Sequence, residues 1–335
     1  MIDLPIFFYL RPFDWPSADI LGSVEQHAAS YFVSTPWSWV LQTYLLLRDR
    51  GHPVELTNVV PNEGIVVLCT SEVPIAHVPG SRQYLVSINA DQSPDPFAQM
   101  RITQNRIQSR LMAGAFHVPH WPQPGIVPRD PARGDRLQRA AYFGDDVNLC
   151  AELKDGRWQE FLAARKIAWE VRGAQSSRKI DFSDVDLVVA VRSFRRSGYI
   201  CKPASKLFNA WIAGVPALLG SELAFREWRR SDLDYLEVGS FDAVCTAVDR
   251  LIETPQLHRA MTENGRRRAE EVSRDRILRR WEHLLFDVAR ARAERWRTAS
   301  SASRRAFVLA RRTEKSVRGA AHRILRAFDQ EQYAI

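Results

Sequence analysis

Apolar residues along this chain fall into short runs separated by segments with helical spacing. PIFFYL, VELTNV, GIVVLCT and QYLVSIN are brief and rich in Val, Ile, Leu and aromatics, as buried strands are. After the first of them, STPWSWVLQTYLLLRDRG has a Ser/Thr-Pro start and apolar Trp39, Leu41, Tyr44 and Leu45. A glycine follows its basic last turn, so a helix is expected there. From Ala98 to Leu111 the chain turns polar and Gln/Arg-rich, and the expectation is again a helix. The stretch FHVPHWPQPGIVPRDPARGD is dense in proline, which fixes φ and removes N–H donors. It predicts a stiff connector between two domains.

Beyond it the alternation is more regular. RAAYFGD reads as a strand ending in a glycine turn, DGRWQEFLAARKI as a helix, and IAWEVR and DVDLVVAVR as strands. PASKLFNAWIAG follows as a helix, PALLG as a strand, AFREWRRS as a short helix and LDYLEV as a strand. Helices are expected from Phe241 to Arg297, with Ile277, Trp281, Leu284, Leu285 and Val288 on one face. Apolar strands alternating with helices imply parallel, doubly wound sheets. The expected fold class is therefore α/β, with Rossmann-like domains at 1–125 and 140–297. A connector at 126–139 joins them, and a helical tail occupies 298–335.

Length, composition and charge refine this picture. A chain of 335 residues has room for two ordinary domains, and 45% hydrophobic with 26% charged residues is a globular composition. No apolar run approaches the ~20 residues that span a bilayer. The first residues lack a basic n-region and a small-residue cleavage site, so a cytoplasmic protein is expected. Four cysteines without C-x-x-C spacing read as reduced thiols. The formal charge of +8 lies in the tail: Arg290 to Ile335 hold 12 Lys+Arg against 4 Asp+Glu, and the remainder is neutral. In RRAFVLARRTEKSVRGAAHRILRAFDQ, Val317, Ala321, Ile324 and Phe328 line one side, and Arg311, Arg312 and other basic residues occupy the rest. Such a helix either packs on the body or lies on the anionic inner face of a membrane as a peripheral contact. No aromatic interleaving or recognition motif for nucleic acid accompanies the arginines.

Candidate chemistry concentrates in KPASKLFNAWIAGVPALLG, residues 202–220. Ligands of parallel sheets sit outside the carboxyl ends of the strands, where helices begin. The helix opening here offers free N–H groups and the positive end of its dipole. Ser205 and Lys206 lie in its first turn, and Lys202, Arg192, Arg195 and Arg196 gather at the same mouth. That setting suits a diphosphate. The following strand ends at Gly220, and Glu222 stands where a carboxylate could accept the hydroxyls of a ribose or sugar. The same pattern also describes an ordinary amphipathic helix with solvent-facing lysines, and a glutamate that favours its own helix dipole.

The segment SKLFNAWIAGVPALLGSELAFREW resembles the donor-site segment of glycosyltransferases with the B-type fold, two facing Rossmann-like domains, and most closely that of fucosyltransferase-like enzymes. The resemblance implies a nucleotide diphosphate sugar as co-substrate, Lys206 beside its diphosphate, and neither a further cofactor nor a metal. Paired glutamates of many retaining members are replaced by Cys201 and Asn209. Asn209 thus stands where a donor contact is expected, and the retaining or inverting outcome stays open. The acceptor is a glycan, lipid or small molecule, with a lipid-linked or envelope acceptor suited to the basic tail. Asp14, Glu25, His27, Glu72 and Asp91 are candidate bases. Asp91 directly follows the strand QYLVSIN and is the one chosen. Gln104, Asn105, Arg129 and Arg133 are candidates to line the cleft. His117 and His120 match no metal pattern, and Asp184-Val185-Asp186 reads as a strand start. Two other functions fit the same features: a sugar-nucleotide epimerase, and a nucleotide-sugar-binding or membrane-associated module without catalysis.

Overall fold

The computed structural model describes residues 4–18, 21–22, 24, 34–70, 72–74, 76–194 and 199–331, with side-chain surroundings in the last helix to residue 316. Its first half is built on strands β1 (Ile6–Tyr9), β2 (Val54–Thr57), β3 (Gly64–Cys69), β4 (Gln83–Ile88), β5 (Met100–Thr103) and β6 (Ala115–His117). They pair in parallel in the order β2-β1-β3-β4-β5-β6. Every residue of β3, β4 and β5 is buried, which explains their unbroken runs. Helix α1 (Gln42–Asp49) continues from a π-helical turn at Trp37–Leu41, and α2 (Arg106–Leu111) follows β5.

Only the second part of the 98–111 helix expectation holds. Met100–Thr103 is an interior strand of the sheet, although it carries Arg101. The Arg101 guanidinium is fully buried; its terminal nitrogens donate to the carbonyls of Asp95 and Pro96 and pair with Glu314 at 2.8 Å. The proline stretch starts within β6, an edge strand.

The second half contains β7 (Arg139–Phe143), β8 (Ala168–Arg172), β9 (Leu187–Ala190), β10 (Ala217–Leu219) and β11 (Leu236–Glu237), parallel in the order β11-β10-β9-β7-β8. Its helices are α3 (Gly156–Ala164), α4 (Ser205–Ala213), α5 (Leu223–Arg226), α6 (Phe241–Glu253) and α7 (Pro255–Ala269). α4 stops at Gly214, whose φ of 69° is the left-handed conformation that glycine adopts without penalty. Helix α8 (Arg274–Glu282) runs through π turns at His283–Ala289 into α9 (Arg290–Thr298). Its face of Ile277, Trp281, Leu284 and Leu285 is buried in the core of the first half, beside Trp39, Leu45 and Ile65. The last helices thus cross back over the first sheet.

The later residues of the proline stretch pack on the second half. Val127 exchanges backbone hydrogen bonds with Ile180 and Phe182, and the Arg129 N–H donates to the Ala213 carbonyl. Arg129 and Arg133 do not line the cleft; both guanidinium groups bind the buried Asp186 carboxylate. Burial would raise the Asp186 pKa, but Arg133, the Gln138 N–H and Arg129 outweigh it and hold the carboxyl below its usual range. Asp184 is taken by Arg172, Arg178 and Arg139.

Tail helix α10 (Ser301–Glu331) begins against the first half. Phe307 meets Trp296 edge-on at 5.1 Å, and Arg311, buried rather than on an open basic face, donates to the Ala113 carbonyl at 3.0 Å. The side chains of Val317, Ala321, Ile324 and Phe328 lie outside the described residues. No helix among the described residues is long and apolar enough to cross a membrane.

Candidate functional site

The carboxyl ends of the two sheets face each other. After β5, Asn105 donates its amide to the carbonyls of Ile200 and Lys202 at 2.5 and 2.8 Å, and Gln104 donates to that of Cys201. After β4, Asp91 pairs with Lys202 at 2.8 Å. First-half side chains therefore grip the loop that leads from β9 into α4.

Strand order reverses in the second sheet between β7 and β9, which both descend from its middle. A crevice opens at such a switch point. The chain places there Gly144 after β7, Arg192 after β9, Lys206 in the first turn of α4 and Glu222 after β10. Ala204 precedes α4 without a side-chain cap, so the first-turn N–H groups have no such acceptor. The Lys206 ammonium lies 5.3 Å from the centre of the Tyr142 ring. Gly144 has φ +142°, and a Cβ there would sit 2.9 Å from the Tyr142 hydroxyl and 3.4 Å from Lys206 Nζ. Glycine adopts that φ without strain, and any side chain there would press on the Tyr142 hydroxyl.

The charges of this cluster interact. Burial, then repulsion from Arg192, lowers the Lys206 pKa to about 8. Glu222 is buried, and burial pushes its carboxyl up against the opposing pull of Arg192 and Lys206. Arg192 Nε lies 3.7 Å from Glu222, its guanidinium also reaches Asn148, and it stands 5.3 Å from the Tyr199 ring centre. Tyr199 adopts φ +36°, uncommon for a non-glycine residue and often found where function demands it. Two cations beside one buried carboxylate and an uncapped helix start leave net positive charge in the crevice.

Lys206, Arg192 and Glu222 are thus brought together, with Gly220 at the strand end between them. A Cβ on Gly220 would meet Val191 and the Ser193 carbonyl at ordinary contact distance. Ser205 opens the helix, half-buried. Lys202 points across to Asp91. Asn209 faces elsewhere: its amide exchanges hydrogen bonds with Gln123 in the proline stretch. Arg195 and Arg196, like Glu25 and His27, lie outside the described residues. Tyr142, Gly144, Asn148 and Tyr199 were not singled out from the sequence; the glycine turn in RAAYFGD was the available signal.

The first sheet has its own switch point between β1 and β3. Arg11 Nε lies 3.0 Å from both Asp14 and Glu72 there. Burial, only partly offset by Arg11, raises Glu72 to about 7. Asp14 and Glu72 are therefore tied to one arginine. Of the histidines considered, His120 is buried, with Nδ1 2.7 Å from the Trp121 carbonyl. Among the described residues no group of three or more His, Cys, Asp or Glu is arranged to hold a metal.

No protein-family model matches the chain, and no curated protein matches it. Solved structures do. HepE from Anabaena, in complex with UDP and glucose, has a TM-score of 0.50 at 11% identity, covering 84% of this chain and 99% of that one. Sucrose-phosphate synthase from Thermosynechococcus elongatus matches at TM-score 0.46 and 11% identity over 76% of this chain and 78% of that one. TarM matches at TM-score 0.44 and 11% identity over 73% of this chain. The chain spans 58% of the TarM chain and 57% of that of the accessory secretory proteins of Streptococcus pneumoniae. The fold is the B type, two facing Rossmann-like halves with a helical C-terminal region. HepE shares it.

Proposed function

We propose that this protein is a glycosyltransferase that moves a sugar from a nucleotide diphosphate sugar to an acceptor bound against residues 1–125. The observation that carries the reading is the convergence of Lys206, Arg192 and the start of α4 on the second sheet's switch point, with Gly144 leaving room beside Lys206. As the bond to the sugar breaks, negative charge accumulates on the leaving diphosphate. Positioned cations and helix N–H groups stabilise that charge more than they stabilise the ground state. Ser205 and Gly220 border the donor's diphosphate, and Glu222 takes the donor's hydroxyls. Lys202 exchanges Asp91 for the donor, which frees the Asp91 carboxylate to receive the acceptor proton. Asn209 positions the helix through Gln123 rather than touching the donor. No cofactor beyond the nucleotide sugar is assigned.

HepE was crystallised with UDP and glucose, so UDP-sugars are the first donors to test. Release of nucleotide diphosphate from a donor panel, with and without candidate glycan and lipid acceptors, tests the reading. Acceptor-dependent release supports transfer. Donor interconversion without acceptor would instead identify an epimerase, and binding without turnover a non-catalytic module.

The tail's charge supports contact with an anionic membrane surface. Full-length protein is expected to co-sediment with vesicles containing anionic lipid at low salt, and a chain ending at Trp296 is not. Failure of the full-length protein to sediment removes the membrane from the reading.

A further inference from the structure

The interdomain face carries a second concentration of positive charge, apart from the diphosphate cluster. Arg106 opens α2, and its guanidinium lies 4.7 Å from the ring centre of Trp228. His117 ends β6, with its ring 6.3 Å from the same tryptophan. Arg276 and Arg280 stand one turn apart on α8, where like charges repel. Arg280 is half-buried, and burial together with the charges of Arg106 and Arg276 lowers its pKa from the ordinary guanidinium value. Arg280 thus shares its surroundings with two other cations.

No carboxylate among the described residues lies within ion-pairing distance of Arg106, Arg276 or Arg280. The neighbouring acids are engaged elsewhere. Glu227 accepts the backbone N–H groups of Arg106 and Ile107 at 2.7 Å each, while Asp275 and Glu282 pair with Arg50. Guanidiniums without a counter-ion, with Arg106 and Arg280 half-buried, destabilise the fold, which marks the group as a place for a ligand. His117 adds a second feature. Burial and the charges of Arg280 and Arg106 lower its pKa to about 3, so it is neutral. Its ring interacts with the Gln104 backbone, and the buried Nε2 has no hydrogen-bond partner. Nε2 thus offers a lone pair to a hydroxyl.

We propose that Arg106, Arg276, Arg280 and His117 form an anion site on the acceptor side of the cleft, which takes an acceptor bearing a phosphate, sulfate or carboxylate next to a hydroxyl. Assigning the ligand as acceptor rests on the transferase reading; the existence of the anion site does not.

Thermal unfolding of the full chain in sodium sulfate, against sodium chloride of matched ionic strength, tests the site first. Sulfate is expected to raise Tm beyond chloride. Arg280→Gln should raise the sulfate concentration for half-effect by about tenfold or more, the loss expected for one charged hydrogen bond. Arg276→Gln, at an exposed position, should act in the same direction, and Lys206→Ala should leave the Arg280-dependent part intact. In chloride alone Arg280→Gln should melt no lower than the parent, because repulsion is relieved. An unchanged sulfate response in both arginine variants overturns the proposal, as does a lower Tm of Arg280→Gln in chloride. Competition by glucose 6-phosphate but not glucose then assigns the ligand class, and equal effects of the two would overturn it. Failure to bind any nucleotide would sink the transferase reading while leaving the sulfate result standing.

Discussion

Lys206 combines two opposing demands, since the burial that would strengthen its hold on the proposed diphosphate also lowers its pKa to about 8. Below that pH it is a cation beside the helix start; above it the charge is lost. UDP affinity is therefore expected to fall as pH rises from 7 to 9.5, and to be flat over that range in Lys206→Ala; calorimetry across the range checks it. Glu72 shows the reverse case. Its folded pKa of about 7 lies above the ordinary glutamate value of 4.5, so between those values the folded state binds more protons than the unfolded one. Stability is lost as pH rises through this window, by at most roughly 3–4 kcal/mol. Glu72→Gln should flatten the pH dependence of Tm between pH 5 and 7.5 and melt higher than the parent at pH 8. An unchanged pH profile contradicts the shift. Lys206, Arg192 and Glu222 were legible in the sequence because each stands where a strand end gives way to a helix. Gly144 was not, because its role depends on Tyr142 and Lys206, which approach it only in the folded chain.

At the scale of elements, alternation of apolar runs located most strands, and the residues that misled were polar ones with distant partners. β5 reads as part of a helix because of Arg101, whose acid, Glu314, lies near the other end of the chain. Arg129 and Arg133 look like cleft residues until Asp186 is found beneath them. Breaking the first of these pairs has a definite consequence. Glu314→Ala removes the carboxylate paired with a buried guanidinium and should destabilise the protein by on the order of 1–3 kcal/mol. Urea unfolding measures this, and a loss of less than about 0.5 kcal/mol, typical of a surface change, would show that α10 does not support the sheet.

Two parallel sheets with facing carboxyl ends give the whole molecule a cleft with a different character on each side. The second half supplies fixed positive charge at its switch point; the first supplies side chains that hold the loop entering α4. This division follows from chain topology, whereas the identity of the paired groups, such as Asp91 with Lys202, had to come from the structure. The central claim is that the second-half crevice holds a nucleotide diphosphate through Lys206. Calorimetric titration of UDP into the full chain and into Lys206→Ala tests it most directly. Measurable binding by the parent, weakened in the folded variant by about 1.5–3 kcal/mol, is the predicted result. Equal affinity in the two proteins, or no binding of UDP or GDP to the parent, would contradict it.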